Sequence, residues 1–316
     1  MAMKSYKGFD KKLKCRDFQY EIGKEYEMDG EIKVCSRGFH ACESPFDVFD
    51  YYTMIDSRFC EVEQDGNISK WDRGTKICSS KIKIKAELKL ADMINLGVEW
   101  LKEITSPEKI KTSIKDNSSG NNAQIGSSGY GAKIGSSGDG AQIGSSGNNA
   151  QIGSSGNNAK IGSSGDGAQI GSSGYDARIG SSGYGAQIGS SGYDARIGSS
   201  GNNAKIGSSG YGAQIGSSGD GAQIGSSGDE AKISSSGYGA KIDSTGEDCV
   251  IMCAGINSVA KASKGSWVTL SEWSYSEEKQ RYIPICVKTE FVDGEKIKAD
   301  TYYSLKGGVF VEWIND

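Results

Sequence analysis

Residues 166–201 read DGAQIGSSG YDARIGSSG YGAQIGSSG YDARIGSSG, four consecutive copies of one nine-residue unit. Fourteen such copies fill residues 121–246. Isoleucine returns at every ninth position from Ile125 to Ile242, and alanine stands two residues before each, from Ala123 to Ala240. A spacing of two puts alanine and isoleucine on one face of a strand and turns the Gln, Lys or Arg between them to solvent. Gly-Ser-Ser-Gly is expected to supply the turn, because glycine reaches backbone angles closed to other residues. A strand this short cannot stand alone. Stacking copies at about 4.8 Å pairs every backbone group and sets Ile on Ile and Ala on Ala.

Two units per coil give a two-sided β-solenoid, and seven coils reach roughly 34 Å at that spacing. A three-sided coil needs three units, and fourteen do not divide into it. A disordered Gly/Ser linker would not hold an aliphatic residue at one phase through fourteen copies. The unit degrades at its C-terminal end, where Ser234 replaces glycine and Asp243-Ser244-Thr245 replaces Gly-Ser-Ser. EDCVIMCAG (247–255) keeps the phase with Ile251 but carries larger side chains, as a last coil merging into a cap would. Asn117-Ser118-Ser119-Gly120 reads as a first turn without its strand.

Recognition by such a ladder would have to use its variable positions. The first two take NN, YG, DG, YD or DE, and the fourth takes Gln, Lys or Arg. Seven Lys/Arg against eight Asp/Glu leave a net of 7 − 8 = −1 across residues 121–246. That balance gives neither the basic stripe of a DNA-gripping solenoid nor the acidic one of a DNA mimic. The aspartate-bearing turns of calcium-binding nonapeptide rolls are missing, as is the flat row of small hydroxyls or methyls an ice-binding face requires. Alternate units share a face, which brings together Tyr175, Tyr193 and Tyr211, Asp176 and Asp194, and Arg178 and Arg196. Tyrosine and arginine are enriched at binding hot spots, so these seven residues form the candidate contact surface. The competing reading is that stacked tyrosines and Asp/Arg ladders only stabilise the face.

Residues 1–112 read as a compact α+β domain, residues 113–255 as the solenoid and residues 256–316 as a small antiparallel β cap that offers a dimer contact. In the first, RFCEVEQDGN reads as a strand ending in a turn. KIKIKAELKLA alternates through Ile82, Ile84, Ala86, Leu88 and Leu90 as a half-buried strand. Ser44-Pro45 before FDVFDYY reads as a helix start, and a second helix is expected over 92–105. In the cap, Asp293-Gly294 and Lys306-Gly307-Gly308 are hairpin signals.

CSRGFHAC groups Cys35, His40 and Cys42, but His40 is the one histidine of the chain, and the C-x4-H-x-C spacing matches no common zinc pattern. No cofactor is implied. The eight cysteines include no Cys-x-x-Cys pair. With no export signal at the N-terminus and no window of transmembrane length, reduced thiols in a cytoplasm are expected. An enzymatic alternative rests on Tyr6-Lys7-Gly8, Gly38-Phe39-His40 and Glu61 or Glu63, whose order resembles ADP-ribosyltransferase-like folds that act on nucleotides.

MKSYKGFDKKLKCRDFQYEIGKEY (3–26), RGFHACESPFDVFDYY (37–52) and IPICVKTEFVDGEKIKADTYYSLKGG (283–308) resemble an uncharacterised bacteriophage and prophage family. Its members share both ends and carry variable numbers of short Ala/Gly-rich repeats between them. The resemblance implies a phage protein made in a bacterial host cytoplasm and carries over no reaction. The leading expectation is a non-enzymatic binding protein that engages a host protein or ribonucleoprotein, for instance as an inhibitor of an antiviral defence system. Direct nucleic-acid binding by the solenoid and membrane partners are not expected. A virion fibre is the remaining alternative.

Overall fold

The computed structural model describes residues 2–53, 57–71, 75–89, 92–93, 96–97, 100, 117–118 and 120–314. The chain divides into two compact units, residues 1–100 and 101–316.

The first unit is an antiparallel sheet. Its strands are β1 (Met3–Phe9), β2 (Lys14–Cys15), β3 (Phe18–Gln19), β4 (Glu25–Glu27), β5 (Phe39–Cys42), β6 (Arg58–Lys70) and β7 (Lys76–Leu88). The main sheet runs β4-β7-β5-β1-β6, and β6 also pairs with β7, so the sheet closes on itself. Phe9, Leu13, Tyr20, Phe39, Val62, Ile82 and Ile84 fill the interior. The alternation in β7 buries Ile82 and Ile84 as expected but leaves Ala86 exposed. The cause is a bulge, since Glu61 faces Ala86 while Val62 faces Ile84, and one extra residue shifts the phase. Ser44 Oγ accepts the Asp47 amide at 3.4 Å, and the helix that follows is a single 3-10 turn, Phe46–Asp50. Of the second helix, Asp92, Met93, Leu96, Gly97 and Trp100 are helical, and the rest lies outside the described residues.

The second unit is a two-sided solenoid of about eight turns with coils of about 18 residues. Strands of alternate units pair in parallel and in register, Ile143 on Ile161 and Ile161 on Ile179, with Ile134 on Ile152 in the other sheet. Below, the sheet holding Gln124–Ser127 is the odd face and the sheet holding Lys133–Ser136 the even face. Isoleucine and alanine from both meet in one thin core.

Two turn assignments need correction. Each strand is x-Ile-Gly-Ser, for instance Arg178–Ser181. Half of Gly-Ser-Ser-Gly is therefore strand, and the left-handed residue of each corner is the second variable position, as at Asn149 (φ 57), Asp176 (φ 53) and Gly185 (φ 65). The last glycine is needed for another reason. A Cβ at Gly192 would overlap the carbonyl oxygen of Gly174 in the coil before. Asn117-Ser118, read as turn, is a two-residue strand pairing with Gly135 and Ser136.

Val250–Cys253 continues the odd sheet with Ile251 in phase, and Trp267–Ser276 adds one more parallel strand. Two hairpins then close the stack: Trp267–Ser276 with Arg281–Phe291 on the odd sheet, and Tyr303–Lys306 with Val309–Glu312 on the even sheet. Lys306-Gly307-Gly308 is a hairpin turn, with both glycines left-handed and their amides donating to the Glu272 carboxylate. Asp293-Gly294 is a turn but joins no hairpin. Asp293 Oδ1 accepts the amides of Glu295 and Ile297, and no strand follows before Tyr303.

Candidate functional site

On the odd face the fourth position of each unit points outward, giving a ladder of Gln124, Gln142, Lys160, Arg178, Arg196, Gln214 and Lys232. Arg178 lies between Lys160 and Arg196 in direct register. Beside this ladder runs a row of glycines, among them Gly144, Gly162, Gly180 and Gly198, and a Cβ on any of these four would meet nothing within 4 Å. The two rows bound an open trough of about 1160 Å³, closed at its C-terminal end by Val250 and Met252. The same glycines on the even face, such as Gly153, Gly171 and Gly189, are buried.

The near-zero net charge hides a segregation. All seven Lys/Arg of the repeat occupy the fourth position, on strand faces, while every Asp/Glu except Asp243 stands in a corner. Among the described residues no carboxylate forms an ion pair with Lys160, Arg178, Arg196 or Lys232. Like charges one strand apart repel, so this ladder is not explained by stability.

Tyr175, Tyr193 and Tyr211 do come together. The rings of Tyr175 and Tyr193 stack at 5.3 Å and 8°, and Tyr193 meets Tyr211 at 6.2 Å and 57°. Asp176 and Asp194 sit beside them in left-handed turns (φ 53 and 54), a backbone role that the candidate-surface reading did not foresee. Arg178 and Arg196 lie on the strand face, exposed.

The corner residues follow rules of their own. Asn or Asp at the first position accepts the first-position amide of the next coil, as Asn157 Oδ1 does from Tyr175 and Asp166 Oδ1 from Tyr184, at 2.9 and 2.8 Å. Tyrosine there accepts from a second-position asparagine one coil on: Asn149 to Tyr130, Asn203 to Tyr184 and Asn257 to Tyr238, at 2.7–2.9 Å. Much of the variation is thus coil-to-coil bonding. The signal in the sequence was the restricted second position, which admits only Asn, Gly, Asp and one Glu, a set suited to left-handed backbone.

The first unit has a cleft of about 990 Å³ whose walls include Lys7, Cys15, Tyr20, His40, Tyr52 and Lys76. His40 on β5 accepts the Cys35 amide at Nε2, 2.9 Å away. Burial, with Lys76, Lys7 and Arg16 nearby, lowers its pKa to about 4. It is a neutral, packed ring at pH 7.

Residues 3–96 match the family model described as a domain of unknown function, DUF7666. No curated protein and no solved structure matches the chain. The chain therefore has an N-terminal DUF7666 domain followed by a β-solenoid. Within the DUF7666 domain, Glu61 and Glu63 form ion pairs with Lys4 and Lys85, both at 2.8 Å, and neither lines the cleft that holds His40. Among the described residues its cysteines form no disulfide, and burial raises Cys60 to about 12 and Cys78 to about 11. Among the described residues of the chain, no three His, Cys, Asp or Glu side chains converge as metal ligands, and no helix is long and apolar enough to cross a membrane.

Proposed function

We propose that this chain is a binding protein and that the odd face of its solenoid is the contact surface. The observation that carries the reading is the glycine-floored trough flanked by Lys160, Arg178, Arg196 and Lys232, cations without carboxylate partners among the described residues. Glycine inside a strand costs stability and marks places where another backbone comes close. The stacked tyrosines at the corner and the apolar end formed by Val250, Met252, Trp267 and Phe291, each at least 40% exposed, extend the surface in both directions. A parallel stack held by backbone pairing loses little entropy on docking. The unpaired cations suit an acidic partner surface.

The partner in this reading is a bacterial host protein or ribonucleoprotein, and blocking a defence effector is its most concrete form. That identity rests on the likeness of the chain ends to phage proteins. The test is capture from bacterial lysate on the immobilised full chain, beside an Arg178→Glu/Arg196→Glu variant. A stoichiometric macromolecule held by the first and lost by the second supports the reading. Equal retention by both removes the odd face from it, and no retained macromolecule removes the function.

A further inference from the structure

The DUF7666 cleft holds a group of side chains that the binding reading leaves unused. Lys7, in the middle of β1, is only 4% exposed. Its Nζ donates to the His40 carbonyl oxygen at 2.9 Å and to Cys15 Sγ at 3.5 Å. It also lies over the rings of Phe9 and Tyr20, 5.4 and 5.6 Å from their centres. Among the described residues no carboxylate forms an ion pair with it. Tyr52 completes the group by donating from its hydroxyl to Cys15 Sγ at 2.9 Å. Desolvation keeps that phenol protonated well beyond neutral pH.

A buried ammonium is costly unless an anion meets it, and an apolar side chain of equal size is usually the more stable choice. Desolvation accordingly lowers the pKa of Lys7. Of the two atoms that accept hydrogen bonds from Nζ, only Cys15 Sγ can itself carry a negative charge, and the thiolate is the nucleophilic form of cysteine. Transfer of a proton from the thiol to Lys7 as its neutral amine gives a thiolate–ammonium pair in the cleft wall, with Tyr52 as second donor to the sulfur. The cleft is lined by three basic side chains, Lys7, Arg16 and Lys76, and three acidic ones, Asp17, Glu25 and Glu27. Lys76, Lys7 and Arg16 all depress His40, while Glu25 and Glu27, two of the three acids lining it, are held by Lys81.

We infer that Cys15 is a nucleophile and that the cleft receives a small anionic substrate bearing an electrophilic carbon. The sulfur forms a bond to that carbon, the leaving group departs with its electron pair, and the thiol proton rests on Lys7, from which the leaving group can take it. Lys7 and Tyr52 are positioning residues for the sulfur. This inference stands independently of the solenoid's binding role.

The test uses the full chain with two probes that displace iodide, anionic iodoacetate and neutral iodoacetamide, and maps the labelled cysteines by peptide mass. Exposed Cys35 and half-buried Cys286 are the internal references. Exposure alone would label Cys35 first. The expected result is Cys15 ahead of Cys35, with a preference for iodoacetate over iodoacetamide that Cys286 does not share. Lys7→Met should slow Cys15 by about tenfold or more while leaving the melting temperature unchanged or higher, the opposite of what a purely structural lysine would give. Tyr52→Phe should slow it by a smaller factor and serves as the second readout if Lys7→Met does not fold. Labelling of Cys15 no faster than Cys35, or a rate that neither substitution changes, overturns the inference.

Discussion

Asn203 Oδ1 occupies the space in which a side chain on Gly221, one coil further on, would begin. The two residues hold the same left-handed corner position, at φ 57 and φ 65, and Asn203 also donates to Tyr184. The succession YG, NN, DG in three stacked corners is therefore a stacking order: tyrosine takes the hydrogen bond, asparagine gives it, and glycine makes room for the asparagine. Gly221→Ala should destabilise by about 1–2 kcal/mol from the left-handed backbone alone, and by more while Asn203 is present. Asn203→Gly should cost only a few tenths, since glycine keeps the backbone angle. A double-mutant cycle on these two sites, read by chemical unfolding, should show a coupling of about 0.5 kcal/mol or more. Additivity would mean that the corner relaxes freely.

Two glycines of one corner and strand should behave in opposite ways. A Cβ on Gly192 would overlap the Gly174 carbonyl oxygen, and the backbone of the coil before cannot yield without breaking its ladder. Gly192→Ala should lower the melting temperature severely or prevent folding. Gly198 faces the open trough with an ordinary backbone angle and nothing within 4 Å of its added Cβ. Gly198→Ala should be neutral or stabilising by up to about 1 kcal/mol. If it also weakens partner capture, the glycine floor is there for the contact and not for the fold.

The contrast shows what the sequence could and could not convey. The phase of Ile125 to Ile242 determined the coil, its two sides and the in-register stack, because a side-chain period of two and a repeat of nine leave few other arrangements. Its phase continued through Ile251 into the last coil. The division of labour within Gly-Ser-Ser-Gly was not legible, since a glycine that permits close approach and one that permits a turn are the same letter. Counting charges over the repeat likewise lost the trough's cations, because only the coil geometry sends fourth-position side chains to the strand faces, four of the seven cations to the odd one, and aspartates to the corners. The Lys7, Cys15 and Tyr52 group was hidden for a different reason. It is assembled from β1, a two-residue hairpin strand and the segment after a 3-10 turn, with no motif spacing to announce it.

The core carries a file of polar groups. The strand serines, among them Ser172, Ser190 and Ser208, are fully buried, and their hydroxyls lack hydrogen-bond partners among the described residues. A buried hydroxyl without a partner is a desolvation cost of about 1–3 kcal/mol. Ser190→Ala, which removes the oxygen and little volume, should raise stability by about 1 kcal/mol. Ser190→Val should lower it by overfilling a core only two strands thick. Thermal unfolding of both variants decides this, and a loss of stability in Ser190→Ala would show that the hydroxyl has a partner in solution.

His40 gives the DUF7666 domain a pH dependence whose sign follows from its surroundings. Its pKa falls from 6.5 to about 4 in the folded chain, through burial and then through Lys76, Lys7 and Arg16. Between those two values the unfolded chain binds more protons than the folded one, so stability rises with pH. The contribution is fully present above about pH 6.5 and is lost as pH falls toward 4. Because the chain has a single histidine, one imidazole resonance followed by NMR should titrate near pH 4 in the native protein. His40→Gln retains an acceptor for the Cys35 amide and removes the titration. Its melting temperature should change less between pH 6.5 and 4 than that of the wild type. An imidazole midpoint near 6.5 would instead mean that the ring is hydrated and that the three cations do not act on it.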